Sequence, residues 1–128
     1  CSSDLWRYWF DYVAEAEHAT YTNGAWHGNE VPYVFDTLGQ VEPSRQYVNE
    51  RDLAFAAQVA DYWVSFARDA GARDSLVGPT RWPACRKGRD VLLRIGVNKH
   101  AGFRLENRFM RARMSLFKRV MKHHVSLD

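Results

Sequence analysis

Between Gly24 and Phe35 the chain reads Gly-Ala-Trp-His-Gly-Asn-Glu-Val-Pro-Tyr-Val-Phe, so His27 precedes a bend-permitting glycine and Glu30 follows three residues on. An imidazole titrates near neutrality and can both take and return a proton, a task made easier when a carboxylate orients it. A histidine alone in a loop is most often structural. The surrounding pattern is what singles out His27 for acid–base chemistry. His27 and Glu30 would also suit a metal ion, but no third or fourth ligand stands at suitable spacing, so no metal site is expected. A nucleophile is missing as well. Ser2, Ser3, Ser44, Ser65, Ser75, Ser115 and Ser126 all lack the paired flanking glycines of a Gly-x-Ser-x-Gly turn, and no glycine run offers an oxyanion hole. By itself the chain is expected to be inert.

The cysteines add little. Cys1 and Cys85 show neither metal-ligand nor redox-motif spacing, and a disulfide between them stays open. A free N-terminal cysteine can serve as a nucleophile with its own amine as base. The Cys-Ser-Ser start also resembles a lipid-modified lipoprotein terminus. The residues that follow read instead as an internal strand. Because the first residue is cysteine and not methionine, the chain is expected to be a processed product, a fragment or one polypeptide of a split protein.

Residues 4–13 are dense in aromatic β-formers, with Trp6, Tyr8, Phe10 and Tyr12 on one face and Arg7, Trp9 and Asp11 on the other. This predicts a strand, followed by a long polar loop over 14–24 that ends at the turn signal Asn23-Gly24. Pro32 and Pro43 break the next stretch into short pieces. Asn49 and Asp52 form a variant capping box that opens a helix over Glu50–Ala70, with Phe55, Val59, Tyr62 and Phe66 on its inner stripe and Gly71 as its stop. Residues 71–89 read as loop and Val91–Ile95 as a short strand ended by Gly96. A last helix is predicted over Leu105–His123, with Leu105, Phe109, Met110, Met114, Phe117 and Val120 on a broad apolar arc suited to packing. His18 and His100 read as loop residues.

Two strand candidates so far apart cannot make a stable sheet in water. The first is therefore expected to pair with strands from elsewhere, and the chain to need a partner. No run of about 18 apolar residues exists, so no membrane span is expected, and no signal segment opens the chain. Of its 128 residues 46% are hydrophobic, which fits a globular core. The net charge of +3 hides an asymmetry: residues 1–85 carry 6 Lys and Arg against 12 Asp and Glu (net −6), and residues 86–128 carry 12 against 3 (net +9). Mutual attraction of the two halves, or attraction of a partner chain, explains this more simply than nucleic-acid binding.

These pieces together resemble the C-terminal segment of type-B carboxylesterases and cholinesterases, members of the α/β-hydrolase fold. The stretch around His27 is similar to their catalytic-histidine loop, and Trp6-Arg7-Tyr8-Trp9-Phe10-Asp11-Tyr12-Val13 to their late central-sheet strand. Tyr62-Trp63-Val64-Ser65-Phe66-Ala67-Arg68 resembles the end of their Trp-x-x-Phe-Ala-(Lys/Arg) helix. Trp82-Pro83 resembles their Trp-Pro-x-Tyr motif, with Cys85 where an aromatic is common. The 91–95 strand and the basic last helix also fall in the family's order.

The resemblance implies an α/β fold in which residues 1–128 are the C-terminal part of a single hydrolase domain. That part would hold a late central-sheet strand, the histidine loop, two long helices and a short terminal strand, completed by another chain. In such hydrolases the triad runs serine, acid, histidine. The implied partner is therefore an N-terminal polypeptide that supplies serine, acid and oxyanion hole. His27 would act as general base and acid in hydrolysis of a small carboxylic ester, with no metal or organic cofactor. Glu30 would join a buried polar network beneath the site, and Trp26 and Phe35 would line an acyl or alcohol pocket. A secreted or periplasmic setting is also implied. Two other readings stand beside this one: a non-catalytic carboxylesterase-like interaction module, and a basic helical domain that binds nucleic acid through residues 86–124.

Overall fold

The computed structural model describes residues 5–40, 42, 44–70 and 72–124. In chain order the elements are β1 (Tyr8–Tyr12), α1 (Val31–Val34), α2 (Glu50–Asp69), β2 (Ser75–Leu76), β3 (Trp82–Pro83), β4 (Val91–Asn107) and α3 (Arg111–His124). Helices and strands are mixed around a small parallel sheet, an arrangement compatible with an α/β fold. None of the described helices is long and apolar enough to cross a membrane.

The alternation read from residues 6–12 holds in β1. Tyr12 packs its ring against Phe55 at 4.4 Å between centroids, Phe10 against Tyr33 at 5.2 Å, and Tyr8 against Trp63 at 5.1 Å. On the opposite face Trp9 meets Phe109, and Asp11 forms an ion pair with Arg94 at 2.5 Å. The strand is shorter than expected, because the bridge at Leu5 pairs with Cys85 and not with β4.

β1 does not await a foreign strand along both edges. It pairs in parallel with β4, Tyr8 opposite Leu93 and Phe10 opposite Ile95. The expected strand at 91–95 runs on to Asn107. Asn98 and Lys99 both adopt positive φ and turn the chain back, so that Arg108 N–H donates to Asp90 O at 2.9 Å. That return consumes Leu105–Asn107. The last helix starts only at Arg111, after the positive φ of Arg108 and Met110. Glu106 accordingly sits on β4, paired with Arg94 and Arg104.

Helix α2 begins where its cap dictates. The Asn49 side chain accepts from the Arg51 and Asp52 amides, while Asp52 Oδ2 accepts the Asn49 N–H at 2.8 Å. Phe55, Val59 and Tyr62 are buried on its inner stripe, whereas Phe66 stays largely exposed and packs edge-on against Trp6. The helix ends at Asp69 with Ala70 as its cap; Gly71 lies outside the described residues. The segment read as loop over 71–89 contains the antiparallel pair β2–β3, held to α2 by Tyr62, whose hydroxyl donates to Thr80 O and accepts the Thr80 amide. Cys85 is buried and held in a disulfide; Cys1 lies outside the described residues.

The broad apolar arc of the last helix finds no cover within the described residues. Met114 is 52% and Phe117 58% exposed, and Leu116 and Val120 are exposed as well.

Candidate active site

His27 owes its position to two glycines and an asparagine. After β1 a 3-10 turn over Glu15–Glu17 leads into the loop, and Gly24 passes close to β1 with φ of +103°. A Cβ there would stand 3.1 Å from Asp11 Oδ1. The Asn29 amide then donates to Trp26 O at 3.2 Å across a turn in which Gly28 has φ of +81°. A glycine in the third place of such a turn marks type II, and puts His27 at the apex. The Asn29 side chain, only 5% exposed, donates from Nδ2 to Tyr12 O at 2.8 Å. The loop is thereby tied to the C-terminal end of β1.

His27 itself is exposed and makes no hydrogen bond or ion pair with another described residue. It lines a cavity of about 440 Å³ with Tyr8, Trp9, Phe10, Trp26 and Glu30. Glu30 is half-buried at the start of α1 and is not bonded to His27. Burial raises the Tyr8 phenol above its usual range, and the nearby Glu30 carboxylate adds to that shift. Among the described residues no serine lines this cavity. Ser44 donates to Leu38 O, Ser65 accepts the Val77 amide, Ser75 accepts from Arg81, and Ser115 stands exposed on α3. Among the described residues no group of histidines, cysteines and carboxylates could hold a metal ion.

Trp26 also borders a second cavity of about 450 Å³, walled by Tyr21, Tyr33, Leu38, Tyr47 and Glu17. Phe35 is 71% exposed and borders neither cavity. The structure thus brings His27, Trp26 and Glu30 together and leaves Phe35 apart, as the C-terminal cap of α1. His100 lies on β4, its ring 5.2 Å from that of His18.

Burial raises the Glu17 carboxyl above its ordinary 4.5, Asp52 adding to the shift and the Tyr47 hydroxyl opposing it. The folded state thus favours the protonated form, and Glu17 costs stability as pH climbs from 4.5 through its folded value. In thermal melts a Glu17→Gln protein should gain on the wild type as pH rises across that window. A gap that does not change with pH would contradict this.

Two polar residues escaped the sequence reading. Asn29 was given no role there, and its burial and its bond to Tyr12 O show it to be an anchor. Asp52 was recognised as a cap, but its second oxygen accepts from the Tyr12 hydroxyl at 2.5 Å and from the Glu15 amide at 3.3 Å. Burial, reinforced by that carboxylate, holds the Tyr12 phenol far above its usual range, so it stays protonated and donating. The Asn-Glu-Arg-Asp spacing carries the cap signal, but nothing local links Asp52 to Tyr12.

No curated protein matches the chain. The family model described as the carboxylesterase family matches it over residues 2–116, from before β1 into α3. With nine-tenths of its length inside that match, the chain belongs to the carboxylesterase family.

Proposed function

We propose that the chain is the C-terminal part of a carboxylesterase-type serine hydrolase, and that it supplies His27 to a triad whose serine and acid lie on a separate N-terminal polypeptide. The observation that carries this reading is the place of His27: an imidazole bonded to no described residue, at the apex of a tight turn beyond the C-terminal end of a parallel strand, in a chain of the carboxylesterase family. In the reaction the imidazole takes the serine proton as Oγ attacks the ester carbonyl carbon. It then returns that proton to the departing alkoxide, which leaves as the alcohol. Water repeats the cycle on the acyl-enzyme and releases the acid. Glu30 beneath the loop, and Trp26 on the cavity wall, would steady the loop and shape the space for substrate; Phe35 would join them only in the completed molecule.

Two further features support a completing polypeptide. Among the described residues β1 has a strand on one side only, which leaves its other edge open to pairing. Exposed apolar side chains gather on α3 and at Trp9 and Trp26, a surface suited to being covered. Purification followed by intact mass and N-terminal sequencing tests the reading. The expected result is a companion polypeptide with a Gly-x-Ser-x-Gly elbow; an active, self-contained monomer of 128 residues would refute it.

A further inference from the structure

We infer that Asp52 is a positioning residue for His27, acting through Tyr12 and Asn29; this rests on the role proposed for His27 above. His27 holds no hydrogen bond to a described residue, so its place is set by the backbone of its loop alone. That backbone is tied down at both ends of the excursion. Where the chain leaves β1, the Glu15 amide donates to Asp52 Oδ1 at 3.3 Å. Where it returns beyond His27, Asn29 Nδ2 donates to the carbonyl of Tyr12 at 2.8 Å, and the hydroxyl of that same Tyr12 donates to Asp52 Oδ1 at 2.5 Å.

Capping of α2 explains only half of this carboxylate. Oδ2 accepts the Asn49 amide, whereas Oδ1 is directed at Tyr12 and Glu15, away from its own helix. Asp52 is 0% exposed and forms no ion pair with a described residue. A buried carboxylate without a cation is tolerated only where hydrogen bonds satisfy its oxygens. Here the donors come from the helix start, the strand end and the loop start, so one group locks three segments together. Tyr12 has little freedom to drift, since its ring lies 4.4 Å from Phe55 and 5.5 Å from Tyr33 between centroids. Misplacing a reacting group by about 1 Å can cost roughly 10²-fold in rate, which is the scale on which such a lock matters.

The test uses the protein as purified with its companion polypeptide. Asp52→Asn, Tyr12→Phe and Asn29→Ala are made singly, and kcat is expressed per active site titrated to completion with a fluorophosphonate. Each variant should lower kcat by about 10- to 100-fold with KM little changed and the acid limb of the pH–rate curve in place. Combining Tyr12→Phe with Asn29→Ala should cost less than the product of the single losses, because both release the same loop. Should kcat per titrated site stay at the wild-type value while only the melting temperature falls, Asp52 is a helix cap and nothing more. An acid limb that moves in Asp52→Asn would assign the effect to charge, not position, and overturn the inference. If Asp52→Asn does not fold, Tyr12→Phe decides, since it removes only the hydroxyl that donates to Asp52. Failure of the parent reading looks different: His27→Ala would itself leave turnover intact.

Discussion

Replacing His27 by alanine is expected to lower kcat of the assembled esterase by on the order of 10⁴-fold, with little change in KM and in the unfolding transition. The imidazole is exposed at the apex of a turn and bonded to no described neighbour, so removing it leaves no buried partner orphaned and no cavity in the core. Its loss is therefore one of chemistry. Without a base the serine hydroxyl stays protonated at neutral pH, and the alkoxide leaves without its proton. Loss of activity that followed unfolding, or turnover within about tenfold of wild type, would count against the assignment.

Gly96→Ala should destabilise the fold by about 2–5 kcal/mol. Gly96 stands where the β1–β4 register slips: Phe10 faces Ile95, but Tyr12 faces Lys99, so β4 bulges between them. At φ of +81° a Cβ would lie 2.4 Å from Tyr12 N and 2.8 Å from Tyr12 Cα. Both are backbone atoms of a strand whose ring is packed in the core, so neither has a rotamer with which to yield. Relief would have to part β1 from β4 or shift Tyr12, and with it the anchors of the His27 loop. Gly88→Ala is the control. Its φ is +86°, but nothing lies within 4 Å of the added Cβ, so it should cost only the conformational term of about 1–2 kcal/mol. Urea unfolding of the two variants measures the difference. Equal midpoints would mean that the close approach of Gly96 to Tyr12 is absent in solution.

What could be read from the sequence was local or periodic. Asn49 and Asp52 announce the start of α2 because capping is a contact between neighbours, and the aromatic alternation of β1 follows from the two-residue repeat of any half-buried strand. The turn at Gly28 was readable for the same reason. Pairing was not. Tyr8 and Leu93 are brought together by every element between them, and no local signal carries that contact. The extension of β4 was lost to a different cause. Lys99, Arg108 and Met110 take positive φ although none is glycine or asparagine, so Asn98 is the one residue type that hints at the return, and the late start of α3 leaves no such mark. Leu105 and Phe109 then fitted a helical period as well as they fit a strand and the turn after it. Of the site, His27, Glu30 and Trp26 come together as their spacing suggests. Phe35 does not join them: it caps the short helix α1 and stands exposed outside both cavities.

Reaction with a fluorophosphonate probe, followed by peptide mapping of the modified serine, tests the central claim most directly. The expected product carries the label on a serine outside these 128 residues, and its rate of labelling collapses in His27→Ala. A label on Ser44, Ser65, Ser75 or Ser115, or labelling as fast without His27 as with it, would contradict the claim.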